Sequence, residues 1–95
     1  MMEEKRIEQK LVKMTSQSGG VALKFVSPGC AGVPDRLVLM PGGKAAFVEV
    51  KAPGRKPRPL QIRRISQLRR LGFRVFVLDG TEQIEEILKK IGGDA

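Results

Sequence analysis

Apolar residues recur along this chain with two periods, and the switches between them lay out an alternation of helix and strand. Ile7, Leu11 and Met14 fall at i, i+4 and i+7, which predicts a helix over residues 3–17 with one inward stripe. Gly19-Gly20 stops it. Val21 to Val26 is rich in Val, Leu and Phe and reads as a short strand, interrupted by Lys24. Two further strands, Asp35 to Met40 and Ala45 to Lys51, flank Pro41-Gly42-Gly43. That triplet suits a hairpin loop with Pro41 opening a type I turn and Gly43 in the left-handed conformation.

Ala52 to Arg58 is a stiff, exposed, basic connection, and Pro59 suits the first turn of a second helix. There Gln61, Ile65 and Leu68 share a stripe flanked by Ile62 and Leu71, while Arg63, Arg64 and Arg70 point elsewhere. Gly72 ends this helix. Phe73 to Leu78 is an apolar strand broken only by Arg74, and Asp79-Gly80-Thr81 turns into a last helix, 81–91, burying Ile84, Ile87, Leu88 and Ile91. The order αβββαβα predicts an α/β fold, a mixed central sheet flanked by helices, with the fourth strand brought beside the hairpin by a right-handed crossover. Ninety-five residues make one domain, 1–95, near the lower limit for a single core, which favours self-association.

The hairpin register carries the candidate chemistry. With Met40 opposite Lys44, Asp35 falls opposite Glu49, and Lys51 leaves the same face of the strand as Glu49. The rest of that strand is Ala, Phe and Val, the composition of a strand buried on both sides, where an unpaired charge is costly. Two adjacent carboxylates need a shared proton or a divalent cation, and carboxylate oxygens suit hard ions such as Mg2+ or Mn2+. The plainer reading is that Pro-Asp is a common turn dipeptide and Glu-x-Lys a common exposed strand pattern. Glu8, at the margin of the first helix's inward face, reads by itself as a partly exposed helix acid. Gln61, at the head of an apolar stripe, is either a helix cap or a group reaching toward the metal and phosphate.

Charge sharpens the picture. Of 18 Lys and Arg, Lys51, Arg55, Lys56, Arg58, Arg63, Arg64, Arg69 and Arg70 fall between residues 51 and 70 with no acid among them, so the whole excess of +8 begins at the proposed metal strand. A polyanion surface would be placed this way, although a basic run is often only a solvated face. The lone cysteine, Cys30, precludes an internal disulfide and a Cys-based zinc site and suits a reducing cytoplasm. The absence of histidine excludes Ser-His-Asp and Cys-His catalysis. No apolar run is long enough to suggest a membrane span or a secretion signal.

The series Glu8, Gly19-Gly20, Lys24-Phe25, Gly32-Val33-Pro34-Asp35-Arg36, Phe47-Val48-Glu49-Val50-Lys51 and Gln61 resembles the virus-type replication-repair nuclease (VRR-NUC) domain of the PD-(D/E)xK nuclease superfamily. The resemblance runs from about Ile7 to the last helix. It implies a restriction-endonuclease-like core and a Mg2+ or Mn2+ ion held by Asp35, Glu49 and the Val50 carbonyl. It also implies that Lys51 orients or activates water and that Glu8 and Gln61 support the site. Stand-alone members of this size resemble phage or prophage proteins, and some act as homodimers on branched DNA such as four-way (Holliday) junctions. The expectation is therefore a metal-dependent endodeoxyribonuclease of a bacterial or infected-cell cytoplasm, contacting DNA through Lys24, Arg36, Arg55, Lys56, Arg58, Arg63 and Arg64. Two other readings remain: a non-catalytic nucleic-acid-binding module, and a small assembly subunit using its basic face on an acidic protein. With no Trp or Tyr, base stacking is limited to four phenylalanines assigned mostly to the core.

Overall fold

A computed structural model describes residues 2–92. Helix α1 (Met2–Gln17) leads into strands β1 (Val21–Lys24), β2 (Arg36–Met40) and β3 (Lys44–Val50). Helix α2 (Pro59–Arg70), strand β4 (Val75–Leu78), a 3-10 turn (Thr81–Gln83) and helix α3 (Ile84–Gly92) complete the chain. The predicted order holds, with β1, β2 and β4 one or two residues shorter than expected, β3 shifted one residue toward the hairpin, and the last helix opening as a 3-10 turn. The sheet runs β1-β2-β3-β4, antiparallel at its first two junctions and parallel between β3 and β4.

Local chemistry accounts for the ends of these elements. The C-terminus of α1 is closed by Gly19 at φ +88°, with the Gly20 N–H donating to the Thr15 carbonyl and the Gly19 N–H to that of Ser16. This double closure satisfies carbonyls that the helix itself leaves open. The β2–β3 hairpin differs from expectation in one respect. Gly42 as well as Gly43 takes positive φ, +88° and +75°, which excludes a type I turn at Pro41-Gly42, since that turn needs φ near −90° at its second central residue.

One face of the sheet is covered and the other is half open. Ile7 and Leu11 of α1 and Ile84, Ile87, Leu88 and Ile91 of α3 close over Ala22, Val38, Ala46, Val48, Val50 and Leu78, the main core. The α1 stripe extends one position further than the apolar pattern shows. Thr15 is fully buried, its hydroxyl satisfied by donating to the Leu11 carbonyl at 2.7 Å. Arg74 and Lys44 donate to carbonyls at the end of α3, Arg74 to Ile91 at 2.7 Å and Lys44 to Gly92 at 2.8 Å. Such contacts close a helix C-terminus and suit its dipole.

On the second face α2 packs beside β4, burying Ile65 and Gln61. Ile62 and Leu71, expected to flank its buried stripe, are instead exposed. Three of the four phenylalanines, expected mostly in the core, form a row across this face, with Phe25–Phe47 centroids 5.3 Å apart and Phe47–Phe73 6.2 Å. Phe73 is 56% exposed, and Val21 and Leu23 on the same side of β1 are 44% and 45% exposed.

Candidate active site

The observed register pairs Met40 with Lys44 and Arg36 with Val48, so its continuation sets Asp35 opposite Glu49 and Pro34 opposite Val50. Proline has no N–H to give to the ladder, and the sheet opens there. Asp35 fills the gap: its Oδ2 accepts the Val50 N–H at 2.9 Å, while its own carbonyl accepts the Phe25 N–H at 2.8 Å. Along β3 the odd residues turn their backbone toward β4, as the bonds from the Phe47 and Lys51 N–H groups to the Arg74 and Leu78 carbonyls show. The Val50 carbonyl therefore faces the β2 side, where Pro34 offers it no donor.

Glu49 is 1% exposed. Its Oε2 accepts from Gln61 Nε2 at 2.7 Å and pairs with Lys51 Nζ at 3.0 Å, the same-face ammonium that strand alternation predicts. Its Oε1 is buried with no hydrogen-bond partner. A carboxylate oxygen shut away from water without a donor is costly, and a cation is the group whose chemistry it fits. Gln61 takes the capping role of its two expected ones: its Oε1 accepts the Arg58 N–H at 2.8 Å, closing the start of α2, while its amide nitrogen donates to Glu49.

Both carboxyl groups hold their protons above the ordinary carboxylate range. For Asp35 the leading cause is burial, opposed by the Val50 N–H and reinforced by the charge of Glu8. For Glu49 it is again burial, opposed by the Lys51 hydrogen bond and reinforced by Asp35. Glu4 adds its negative charge to both. Glu4 is absent from the acids that the sequence motifs single out. The signal was present: Glu4 precedes the buried Ile7 by three positions and Glu8 by one helical turn, so it lies on the side of α1 that meets the sheet.

The remaining expected residues divide. Glu8 pairs with Arg36, Oε2 to Nε at 2.8 Å, and Arg36 also donates to the Ala22 carbonyl at 3.1 Å. The Arg36 guanidinium is thus engaged within the fold, where a free phosphate contact was expected. Arg64 is partly engaged too, donating to the Ala31 carbonyl at 3.2 Å and to Gln67 at 2.6 Å. Lys24, Arg55, Lys56, Arg58 and Arg63 are exposed. Among the described residues no three His, Cys, Asp or Glu side chains are grouped to hold a metal, so this chain offers two carboxylates and a backbone carbonyl. That sparse oxygen set is the kind on which Mg2+ is held together with water and a substrate phosphate. No helix among the described residues is long and apolar enough to cross a membrane.

Known proteins resemble this chain in sequence and in shape. The VRR-NUC domain profile matches residues 2–82. The p44 protein of Acyrthosiphon pisum secondary endosymbiont phage 1, whose name marks it as a candidate nuclease, is 50% identical over 91 residues, covering 96% of this chain and 97% of its own. A solved VRR-NUC domain structure superposes with a TM-score of 0.86 at 33% identity, covering 92% of this chain and 95% of that one. By sequence and by shape alike, the chain belongs to the VRR-NUC family of nuclease domains.

Proposed function

We propose that the protein is a metal-dependent DNA endonuclease that hydrolyses phosphodiester bonds at Asp35 and Glu49. The observation that carries this reading is the buried, partnerless Oε1 of Glu49 beside the Asp35 carboxylate. Asp35, Glu49 and the Val50 carbonyl would hold Mg2+ or Mn2+, with Glu4 an acid of the outer shell. When bound, the ion supplies Lewis acidity and charge neutralisation at a phosphodiester. Lys51 sets an ammonium at the mouth of the site, suited to orient a water or to stabilise charge building on the phosphate. Gln61 fixes the carboxylate plane of Glu49, and the helix start fixes Gln61. Arg55, Lys56, Arg58, Arg63 and Lys24 hold the flanking phosphates.

Branched DNA cut by a two-fold dimer completes the proposal. The half-open second face supports a dimer: Val21, Leu23, Leu37, Leu39, Ala45 and Phe47 lie on it with no charged side chain among them. An antiparallel sheet meeting water ordinarily alternates apolar with polar residues, and this one does not. The test is a cleavage panel of duplex, single-stranded, flapped and four-way DNA with Mg2+ or Mn2+, with sedimentation run alongside. Symmetric cleavage of four-way DNA by a dimer is expected. Salt-sensitive binding without cleavage in any divalent ion would instead favour a non-catalytic binding module.

A further inference from the structure

Asp35 stands where the loop 26–34 enters β2, and just before it Pro34 gives the ladder no N–H. The loop is closed at its base by the Phe25 N–H on the Asp35 carbonyl, 2.8 Å, and near its tip by the Cys30 N–H on the Ser27 carbonyl, 3.1 Å. Pro28 and Gly29, the latter at φ +82°, fill the central positions of that turn. Both closures are local, and neither fixes how the loop lies over the site. Two contacts with α2 do. Arg64 Nε donates to the Ala31 carbonyl at 3.2 Å, while Nη1 of the same guanidinium donates to Gln67 Oε1 at 2.6 Å. One residue further on, Gly32 at φ +84° lies against Leu60, so close that a Cβ there would come within 3.0 Å of the Leu60 carbonyl oxygen. Leu60 and Arg64 are one turn apart, so the loop rests along a single ridge of the helix.

That same stretch of α2 also serves the other carboxylate. Gln61, next to Leu60, donates to Glu49 at 2.7 Å. The contacts therefore close a ring: Asp35 accepts the Val50 N–H, Glu49 adjoins Val50 and is held by Gln61, and Leu60 meets Gly32, three residues before Asp35. Pro34 in that return segment is fully buried, which stiffens it. Both carboxylates are thus referred to the start of α2, Glu49 by a hydrogen bond and Asp35 through the docked loop. Arg64 does its part by donating from two nitrogens of a planar fork to two separate acceptors, a geometry that the single ammonium of lysine does not reproduce.

Resting on the metal-site reading above, we propose that Arg64 and Gly32 are positioning residues that dock the loop 26–34 on the start of α2 and so set Asp35 relative to Glu49 for metal binding and cleavage, and that Arg64 is not a DNA contact. The test compares wild type with Arg64→Lys, Arg64→Gln, Gly32→Ala and the double variant Gly32→Ala with Arg64→Lys. Mn2+ affinity by calorimetry without DNA, and single-turnover cleavage at saturating Mn2+ and DNA, should each fall about threefold in the two Arg64 variants, which lose exposed hydrogen bonds. In Gly32→Ala, where the backbone must move, the fall should be about tenfold. The double should lose less than the product of the single losses, because the loop is already released. Amide hydrogen exchange in EDTA should quicken over residues 26–34 in every variant and stay as in wild type in β2 and β3. DNA binding in EDTA should keep the wild-type salt slope in Arg64→Gln. Thermal melting shows which variants fold, and the Arg64 variants, altered at the surface, carry the test where Gly32→Ala does not. Full cleavage in Arg64→Lys with a salt slope lowered by about one in Arg64→Gln would make Arg64 a phosphate contact and overturn the proposal. Faster loop exchange with unchanged Mn2+ affinity and cleavage would also overturn it, since the docking would then serve only the loop's own order. Wild-type protein that binds no Mn2+ would overturn the metal site itself, a failure distinguishable because loop exchange is read without metal.

Discussion

Gln61 joins the first turn of α2 to Glu49: one end of its amide accepts the Arg58 N–H at 2.8 Å and the other donates to Glu49 Oε2 at 2.7 Å. The two partners dictate the amide orientation, since one is a donor and the other an acceptor. The Glu49 carboxylate, a ligand of the proposed metal site, is therefore aimed by the same side chain that closes the start of the helix.

Replacing Gln61 with Leu keeps much of its volume and removes both bonds. Mn2+ affinity should fall about tenfold and cleavage at saturating Mn2+ by about one to two orders of magnitude. The melting temperature should fall as well, by the loss of a helix-starting bond worth about 1 kcal/mol. Calorimetry, single-turnover cleavage and thermal melting separate the three effects.

Acidity follows from the buried carboxyls. Asp35 and Glu49 hold their protons to higher pH in the folded chain than in the unfolded one. Folding then takes up protons between the ordinary carboxylate value and the raised one, so the metal-free chain loses stability as pH rises through that window. Metal binding runs the other way, because it needs the ionised form. Mn2+ affinity should decline on acidification at a higher pH than ordinary carboxylates would give, and Mn2+ should flatten the pH dependence of the melting temperature.

Glu49→Gln removes a buried charge while keeping the shape. It should abolish Mn2+ binding and cleavage, and it should raise the metal-free melting temperature above wild type at neutral pH, the usual opposition between a charged site and stability. Chemical denaturation of the two proteins in EDTA checks the sign.

Exposed cations should show as salt dependence. Arg55→Ala, Arg58→Ala and Arg63→Ala should each weaken DNA binding and lower the slope of log affinity against log salt by about one. Arg74→Ala and Arg69→Ala should cost stability with little change of slope, since these side chains donate to the Ile91 and Val75 carbonyls. Fluorescence anisotropy over a salt series distinguishes the two groups.

The hairpin could be read in the sequence because strand alternation and loop length together leave one register, and that register sets Asp35 opposite Glu49 and Lys51 beside it. Gly19-Gly20 and the stripes of α1 and α3 were legible for the same reason, a period imposed by backbone geometry. What escaped was the work of long side chains between distant segments. Nothing local tells whether Arg36 meets a phosphate or an acid 28 positions earlier, or that Arg74 closes α3. Gln61 stayed open between a helix cap and a group reaching toward metal and phosphate because its second partner, Glu49, lies on another element. The phenylalanines were misplaced because apolar content does not say which face of a sheet is covered.

The most direct measurement is the anomalous scattering of crystals soaked in Mn2+, for wild type and Glu49→Gln. A single manganese peak bound by Glu49 Oε1, Asp35 and the Val50 carbonyl, absent from the variant, is the predicted result. Manganese elsewhere, or an equal peak in both proteins, would contradict the assignment of this site.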